Sequence, residues 1–202
     1  TVVECLGVPS ERVELVPNGV PDPGAPPDRT GRTAPIRLLF LGHLDDRKGV
    51  PVLLEALSTP DMRSRSWTLV MAGGGEQERF ASMIEDLALA DRVTLTGWLS
   101  HDRIYAFCRE ADIFVLPSHA EGQAMSLLEA MAHGLAILTT PVGAHLETVV
   151  DGQEALLIPP GDRGMLRDAL ARLIDDGDLR ARLGHAARQR YLNSFSAHHI
   201  AG

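Results

Sequence analysis

The chain has 202 residues, of which 45% are hydrophobic and 23% are charged, and its formal net charge is −8. This length suits one large domain or two small ones, and the composition is that of an ordinary globular protein. The acidic balance disfavours a nucleic-acid-binding surface, and the sequence shows neither an apolar run long enough to span a membrane nor a signal peptide.

The two cysteines, Cys5 and Cys108, are widely spaced, and Cys108 falls within an amphipathic helical pattern. Two core thiols in a reducing cytoplasm are favoured over a disulfide. We therefore expect a cytoplasmic protein.

Residues 17–35 are rich in proline and hold six of the thirteen prolines, which predicts a linker or an ordered hinge loop. The chain begins TVVECLGV without an initiator Met and ends shortly after RYLNSFSAHHI. We expect it to be part of a longer protein, with residues 1–35 as the tail of an inter-domain linker and residues 36–202 as one binding domain.

From residue 36 onward, short apolar runs alternate with helical patterns. The predicted strands are 36–42, 67–73, 92–97, 112–117, 136–140 and 155–159. The predicted helices lie near 49–58, 76–89, 102–110, 125–133 and 145–150, and two closing helices occupy 163–193. This alternation predicts an α/β fold with a Rossmann-like, doubly wound parallel sheet of six strands in the order 3-2-1-4-5-6.

The two closing helices meet at Asp176-Gly177-Asp178. We expect Gly177 to end the first helix and Asp178 to cap the second. The same residues form a D-x-D pattern, which binds metal–diphosphate in some transferases, but a position between two closing helices favours the capping interpretation.

Glu121 and Glu129 lie where the fourth predicted strand passes into a helix. Carboxylates accept several hydrogen bonds, so a polyhydroxylated ligand such as a sugar or ribose is a natural partner for such a pair. The alternative is structural: Ser126 and Glu129 also have the spacing of a helix capping box, and Glu121 precedes a glycine in a loop, where acids are commonly solvated.

Arg47 and Lys48 follow the first predicted strand. In the predicted strand order, strands 1 and 4 are neighbours, so these two cations would face Glu121 and Glu129 across the crevice at the carboxyl ends of the strands. Two cations opposite two acids suit a ligand with a phosphate end and a sugar end. A solvated basic pair in a surface turn is the alternative.

Other chemistries are less well supported. Gly73-Gly74-Gly75 follows the second strand and lacks the G-x-G-x-x-G spacing of dinucleotide sites. The eight histidines show no metal-ligand spacing with the cysteines, and no G-x-S-x-G elbow surrounds Ser118, which disfavours a hydrolase. We predict no metal site and no cofactor.

Taken together, these segments resemble the donor-binding, C-terminal half of a family 4 (group 1) retaining glycosyltransferase of the GT-B fold. The resemblance covers nearly the whole chain in the family's order. Its segments are VPNGV (16–20), FLGHLDDRKGV (40–50), LVMAGGGEQE (69–78), VTLTGWLS (93–100) and the signature core from Val115 to Asp162.

The resemblance implies a role for each matching position. Arg47 and Lys48 would bind the diphosphate of a UDP- or GDP-linked sugar and stabilise charge on the departing nucleotide, and with Glu121 they form the expected catalytic set. Glu121 would bind hydroxyls of the transferred sugar, and Glu129 would hold the ribose. The remaining donor-binding positions are Gly42, His43, Gly97, Trp98, Leu99, Gly122, Gln123, Ala124, Met125 and Ser126, with the backbone of 97–99 near the base and that of 123–126 near the sugar or phosphate.

Two departures from the family pattern stand out. His43 occupies the place where many members have an Arg that binds the diphosphate, so this role would fall to Arg47 and Lys48. Gln123-Ala124 replaces the more usual Pro or Phe-Gly before the helix, which puts the expected sugar contacts in doubt.

A GT-B enzyme binds its acceptor, here a glycan or lipid, mainly through an N-terminal domain, which we expect to lie outside this sequence. We expect the chain to bind a nucleotide-sugar but to transfer little by itself, and any membrane contact to involve that other domain. A nicotinamide-binding Rossmann domain and a non-catalytic GT-B-like binding module are the alternatives.

Overall fold

The alternation of strands and helices predicted after residue 36 is present in the structure. A computed structural model describes residues 18–29, 31–33, 35–122 and 125–197. The strands in these ranges are β1 (Ile36–Leu41), β2 (Trp67–Ala72), β3 (Val93–Gly97), β4 (Ile113–Leu116), β5 (Ala136–Thr139) and β6 (Ala155–Leu157). The helices are α1 (Val50–Leu57), α2 (Pro60–Arg63), α3 (Gln77–Asp86), α4 (His101–Glu110), α5 (Met125–Ala132), α6 (His145–Thr148), α7 (Arg163–Asp175) and α8 (Gly177–Ser194). The short helix α2 was not predicted.

The six strands form one parallel sheet in the order β3-β2-β1-β4-β5-β6, which confirms the predicted fold class and strand order. In the register of the sheet, Leu38 of β1 lies between Leu69 of β2 and Ile113 of β4. Every residue of β4 and β5 is buried, as expected for strands covered on both faces. The order reverses between β1 and β4, so the crevice at their carboxyl ends is the expected ligand site.

Two groups of helices cover the sheet. Helix α1 contacts α3 and α7, whereas α5 contacts α8, which also packs on β5. The apolar stripe of α3 is a representative case, because Phe80 and Ile84, one turn apart, are both buried. Met83 and Leu87 are only half-buried at its edge.

The junction between α7 and α8 differs from the prediction. Helix α7 ends at Asp175, and Asp176 is the N-cap of α8, because its Oδ1 accepts a hydrogen bond of 2.8 Å from the backbone N–H of Leu179. Gly177 is therefore the first residue of α8 rather than a stop signal, and Asp178 lies within the helix. The capping interpretation of this D-x-D pattern is correct, but the capping residue is the first aspartate instead of the second.

The described part of the proline-rich region is ordered against the domain. Val20 is buried and pairs with Ser196 beyond α8, and its carbonyl accepts a hydrogen bond of 2.9 Å from the Tyr191 hydroxyl. Of the two predicted alternatives, the ordered loop is the one observed for residues 18–29 and 31–33. The boundary at residue 36 remains a prediction, and residues 1–17 lie outside the described residues.

Three arginines attach this loop to the amino-end side of the sheet. The guanidinium of Arg29 donates three hydrogen bonds of 2.7 to 2.9 Å to backbone carbonyls just before β4 and β5, those of Cys108, Ala111 and His133. Arg32 donates to Asp112, and Arg188 of α8 donates to Asp22. Burial lowers the pKa of Arg29 to about 10, which leaves it charged at neutral pH.

Cys108 is a buried, free thiol on α4, as expected for a core cysteine. Burial raises the pKa of this thiol to about 12, so it stays protonated. Cys5 lies outside the described residues.

Candidate functional site

A cavity of about 420 Å³ opens at the carboxyl ends of β1, β2 and β4. It lies at the predicted point where the strand order reverses. Nine of the predicted site residues line it: Gly42, His43, Lys48, Trp98, Leu99, Glu121, Met125, Ser126 and Glu129. Arg47, Gly97 and Gly122 lie beside the cavity without lining it, and Gln123 and Ala124 lie outside the described residues.

The loops after β1 and β4 are held together by backbone contacts. Gly49 ends the first loop with a φ of 72°, and a Cβ there would overlap the carbonyl oxygen of Pro117. Only glycine suits such a left-handed, close approach. The backbone N–H of His119 also donates a hydrogen bond of 2.7 Å to the carbonyl of Arg47. The separation between the cationic and the acidic loop is thereby fixed by main-chain geometry.

Lys48 and Glu121 form a buried ion pair at the base of the cavity. Lys48 Nζ lies 2.6 Å from Glu121 Oε1, and the two side chains are only 12% and 4% exposed. The backbone N–H of Lys48 donates to Asp45 Oδ1 at 2.8 Å, which fixes the start of its side chain. Burial of an ion pair requires such close geometry, because desolvation opposes it.

Arg47 is placed differently from its neighbour. Its side chain is 51% exposed, and its guanidinium lies 4.0 Å from Glu121 Oε2 and 3.7 Å from Asp45. Its best hydrogen bond, to the carbonyl of Ala120, measures 3.2 Å. Arg47 therefore keeps most of its donors available at the rim of the crevice, whereas Lys48 is committed to Glu121.

Glu129 lies on α5 and faces the cavity, with its side chain 14% exposed. Burial raises the pKa of this carboxyl, and His101, whose Nε2 is 4.0 Å from Oε1, partly opposes the increase. The capping-box alternative is not supported, because α5 begins at Met125 and Ser126 is already inside the helix. Glu129 is thus a partly desolvated acceptor beside the cavity.

The opposite side of the opening is apolar. Trp98 follows β3 at Gly97, a glycine with a φ of 69°, and its indole is 80% exposed. Leu99 and Ile104 complete this wall, and Met125 faces it from α5. A large exposed aromatic at a cavity mouth is a suitable surface for a flat ring.

The sequence did not reveal several residues of the site. Gly73 and Gly74 line the cavity because β2 ends beside β1, although the sequence assigned them no role in the site. His101 reaches Glu129 from α4, and Ser118 donates a hydrogen bond of 2.6 Å to Glu121 Oε1. The only signal in the sequence was that these residues follow predicted strands or begin a predicted helix. Glycine, serine and histidine are not by themselves specific for such a site.

The loop that carries Glu121 is also supported from β5 and α6. A Cβ at Gly143, whose φ is 53°, would overlap the carbonyl oxygen of Glu121, and the N–H of Ala144 donates to the Gly122 carbonyl at 3.0 Å. His145 is buried below, and its Nδ1 lies 3.1 Å from both Thr139 Oγ1 and the Thr140 carbonyl. Burial lowers the pKa of His145, so the ring is neutral at neutral pH.

The described ranges contain neither a metal-binding cluster nor a membrane-spanning helix. Residues 18–29, 31–33, 35–122 and 125–197 contain no group of three or more His, Cys, Asp or Glu side chains placed to hold a metal ion. In the same part of the chain, no helix has the length and apolar character needed to cross a bilayer.

Comparison with solved structures supports the fold. Sucrose-phosphate synthase from Thermosynechococcus elongatus superimposes with a TM-score of 0.81 at 26% sequence identity, over 93% of this chain and 50% of that one. The chain therefore corresponds to about half of this larger protein.

Two curated relatives extend the similarity in sequence. Glycogen synthase from Mycobacterium tuberculosis is 32% identical over 99% of this chain and 49% of its own length. A GDP-mannose-dependent phosphatidylinositol monomannoside mannosyltransferase from the same species is 30% identical over 90% of this chain and 51% of its own length. The chain spans about half the length of both relatives.

The model of the family described as glycosyl transferases group 1 matches residues 28–190, which include the whole sheet and every described site residue. This match and the relatives agree with the resemblance seen in the sequence motifs, and they favour it over the nicotinamide-binding alternative. The chain belongs to the group 1 glycosyltransferase family, and its fold is one half of a GT-B structure.

Proposed function

We propose that this chain is the donor-binding domain of a retaining glycosyltransferase and that its cavity binds a nucleotide-diphosphate-sugar. The observation that carries the proposal is the placement of Lys48, Glu121 and Glu129 on one cavity, with Arg47 at its rim. This arrangement gives a phosphate-sized cationic side and two separate hydroxyl-binding acids. Membership of the family supports the same conclusion.

Lys48 and Arg47 would act on the diphosphate. Breaking a glycosyl–phosphate bond builds positive charge on the sugar and negative charge on the departing diphosphate. Cations fixed in advance near the leaving oxygen lower that barrier, and such electrostatic stabilisation is commonly the largest catalytic contribution. Lys48 is fixed by Glu121 and by the Asp45 loop, so little reorganisation is needed when the phosphate arrives.

The two carboxylates would divide the sugars between them. Glu121 lies beside Lys48 and would accept hydrogen bonds from the transferred sugar, next to the bond that breaks. Glu129 lies on α5 and would accept from the two ribose hydroxyls. A charged acceptor makes stronger hydrogen bonds than a neutral one, which gives both residues a share in affinity.

The base would lie against the apolar wall, close to the backbone of Gly97, Trp98 and Leu99. The exposed indole of Trp98 offers a stacking surface for a uracil or guanine ring. We therefore propose a UDP- or GDP-linked sugar as the donor. One relative is GDP-mannose-dependent by name, which agrees with this class.

The complete protein would use a second domain to bind the acceptor, such as a glycolipid or a polysaccharide. We propose that it acts in the cytoplasm, or at the inner face of the membrane through that other domain. Because the reacting sugar must be enclosed from both sides, we expect the chain alone to bind donor and to transfer little or no sugar.

Calorimetric titration of the chain tests the donor assignment. We expect saturable binding of at least one of UDP-glucose, GDP-mannose, ADP-glucose and dTDP-glucose at up to millimolar concentration, and none of NAD. A matched control is Arg167→Ala, which removes an exposed arginine of α7 that pairs with Asp168 and lies outside the site. Absence of binding to every nucleotide-sugar would contradict the proposal, and binding of NAD alone would restore the nicotinamide alternative.

A further inference from the structure

Ser118 lies two residues beyond the end of β4, and its side chain is fully buried beneath the loop that carries Glu121. Its Oγ donates a hydrogen bond of 2.6 Å to Oε1 of Glu121. Lys48 Nζ reaches the same oxygen at 2.6 Å. Oε1 therefore has two donors, whereas the described cation nearest to Oε2 is Arg47, 4.0 Å away.

The backbone of Ser118 is itself fixed. Its carbonyl accepts a hydrogen bond of 2.6 Å from Oγ1 of Thr140, the residue that directly follows the neighbouring strand β5. Thr139, the last residue of β5, donates from Oγ1 to the Leu116 carbonyl at 2.8 Å. Both threonines are fully buried. The hydroxyl of Ser118 thus projects toward Glu121 from a buried backbone position that is hydrogen-bonded to Thr140.

We propose that Ser118 is a positioning residue that orients the Glu121 carboxylate for the sugar. With Oε1 held by Ser118 and Lys48, Oε2 is the oxygen left to accept a hydroxyl of the transferred sugar. The inference rests on the proposed function, since it assigns a role within the same donor site. It adds a residue that gains its role only through Glu121 and does not touch the ligand.

The physical reason is that Lys48 alone does not fix the carboxylate. A lysine ammonium sits on a flexible four-carbon stem and can follow a carboxylate that rotates. A short, fully buried serine side chain has little such freedom. Removal of the hydroxyl would leave the ion pair intact, but the Lys48 and Glu121 side chains could then rotate together. This rotation would weaken the sugar contact, because that contact depends on the direction of Oε2.

Calorimetry with two ligands isolates this effect. A nucleoside diphosphate reports on the cationic side, whereas the corresponding nucleotide-sugar reports on the sugar contact as well. For Ser118→Ala we expect about tenfold weaker nucleotide-sugar binding, as for the loss of one well-oriented hydrogen bond to a charged group, with the diphosphate affinity unchanged. An unchanged nucleotide-sugar affinity, or equal losses for both ligands, would overturn the proposal.

A double variant tests whether Ser118 acts through Glu121. Once Glu121→Ala has removed the acceptor, the further change Ser118→Ala should cause no additional loss of nucleotide-sugar binding. An additive loss would show that Ser118 acts elsewhere and would overturn the proposal. Thr148→Val is the matched control, because Thr148 is a buried hydroxyl that bonds the Ala144 carbonyl at 2.7 Å and does not contact Glu121; it should leave both affinities unchanged.

The pair Ser118→Thr and Ser118→Val guards against a folding defect in the alanine variant. These two side chains have similar bulk and differ in the hydroxyl, so the Thr variant should bind nucleotide-sugar more tightly than the Val variant. Equal affinities would overturn the proposal. If the unaltered chain binds no nucleotide-sugar, the proposed function fails and this inference with it; if it binds but Ser118→Ala behaves like the unaltered chain, only this inference fails.

Discussion

The two ends of the sheet use arginine in opposite ways. At the amino ends of β4 and β5, Arg29 is half-buried and donates to three backbone carbonyls. At the carboxyl end of β1, Arg47 is half-exposed and makes one long hydrogen bond to a carbonyl. The same type of side chain therefore stabilises the fold at one end of the sheet and is an available cation at the other.

The difference shows that the number of available donors indicates function better than charge or burial. A guanidinium carries five N–H donors in a fixed fork. Where backbone carbonyls already occupy most of them, a ligand would have to displace bonds that hold the domain together. Where most are free, as at Arg47, a phosphate can bind at little cost to the fold.

The largest effect should come from Arg29→Ala. Three carbonyls would lose their donor, and because each buried, unsatisfied polar group costs about 1–3 kcal/mol, we expect a loss of roughly 3 kcal/mol or more in the free energy of unfolding. Urea denaturation measures it. Arg47→Ala is the matched control at the other end and should stay within about 0.5 kcal/mol of the unaltered chain. Similar losses of unfolding free energy for the two variants would contradict the difference in role between Arg29 and Arg47.

Lys48→Ala should weaken the binding of a nucleoside diphosphate by roughly 1.5–3 kcal/mol, the range for a hydrogen bond to a charged group. The bare nucleoside offers no phosphate, so its affinity should change much less. Titration calorimetry with both ligands separates the two cases. Equal losses of affinity for the two ligands would mean that Lys48, like Arg29, mainly stabilises the fold.

Glu129→Gln should weaken nucleotide binding by about 1–2 kcal/mol, because the ribose hydroxyls lose a charged acceptor. Burial raises the pKa of Glu129 in the folded chain, so the folded state favours its protonated form. That contribution to stability is present below the ordinary pKa of 4.5 and is lost as the pH rises through the folded pKa.

Thermal unfolding of the Glu129→Gln variant at two pH values checks this sign. At pH 7 the variant should be at least as stable as the unaltered chain, and any gain should vanish as the pH falls below the ordinary pKa. A variant that binds nucleotide normally would return Glu129 to a purely structural role.

Trp98→Ala should have the smallest effect. The indole is mostly exposed, so the stability of the chain should hardly change, and loss of a stacking surface for the base should cost about 1 kcal/mol in nucleotide affinity. Titration with the nucleoside alone measures it. A loss seen with inorganic diphosphate as well would contradict a role in base binding.

The sequence predicted the carboxyl end of the sheet better than the amino end. Strand order follows from the alternation of apolar runs and helices, and that order brings Lys48 and Glu121 to one crevice without any structure. The ion pair itself was not predictable, because its formation depends on the close approach of the loops at Gly49 and Pro117.

No pattern in the sequence indicated the structural role of Arg29. Its partners are backbone carbonyls, which every residue has, so no pattern of side chains marks them. The prediction of the N-cap of α8 was wrong for a related reason. Asp176 and Asp178 are equally good N-cap residues, and only the observed end of α7 at Asp175 decides between them.

The glycines at positions 49 and 143 limit how this crevice can diverge among related proteins. At both, any side chain would collide with a carbonyl oxygen of the opposing loop, Pro117 in one case and Glu121 in the other. A substitution at either glycine would therefore push the two loops apart instead of changing only the shape of the cavity. Under the proposed function, new donor preferences would therefore arise mainly through side chains that line the cavity, such as Trp98 and Met125, rather than through the main chain between the two loops.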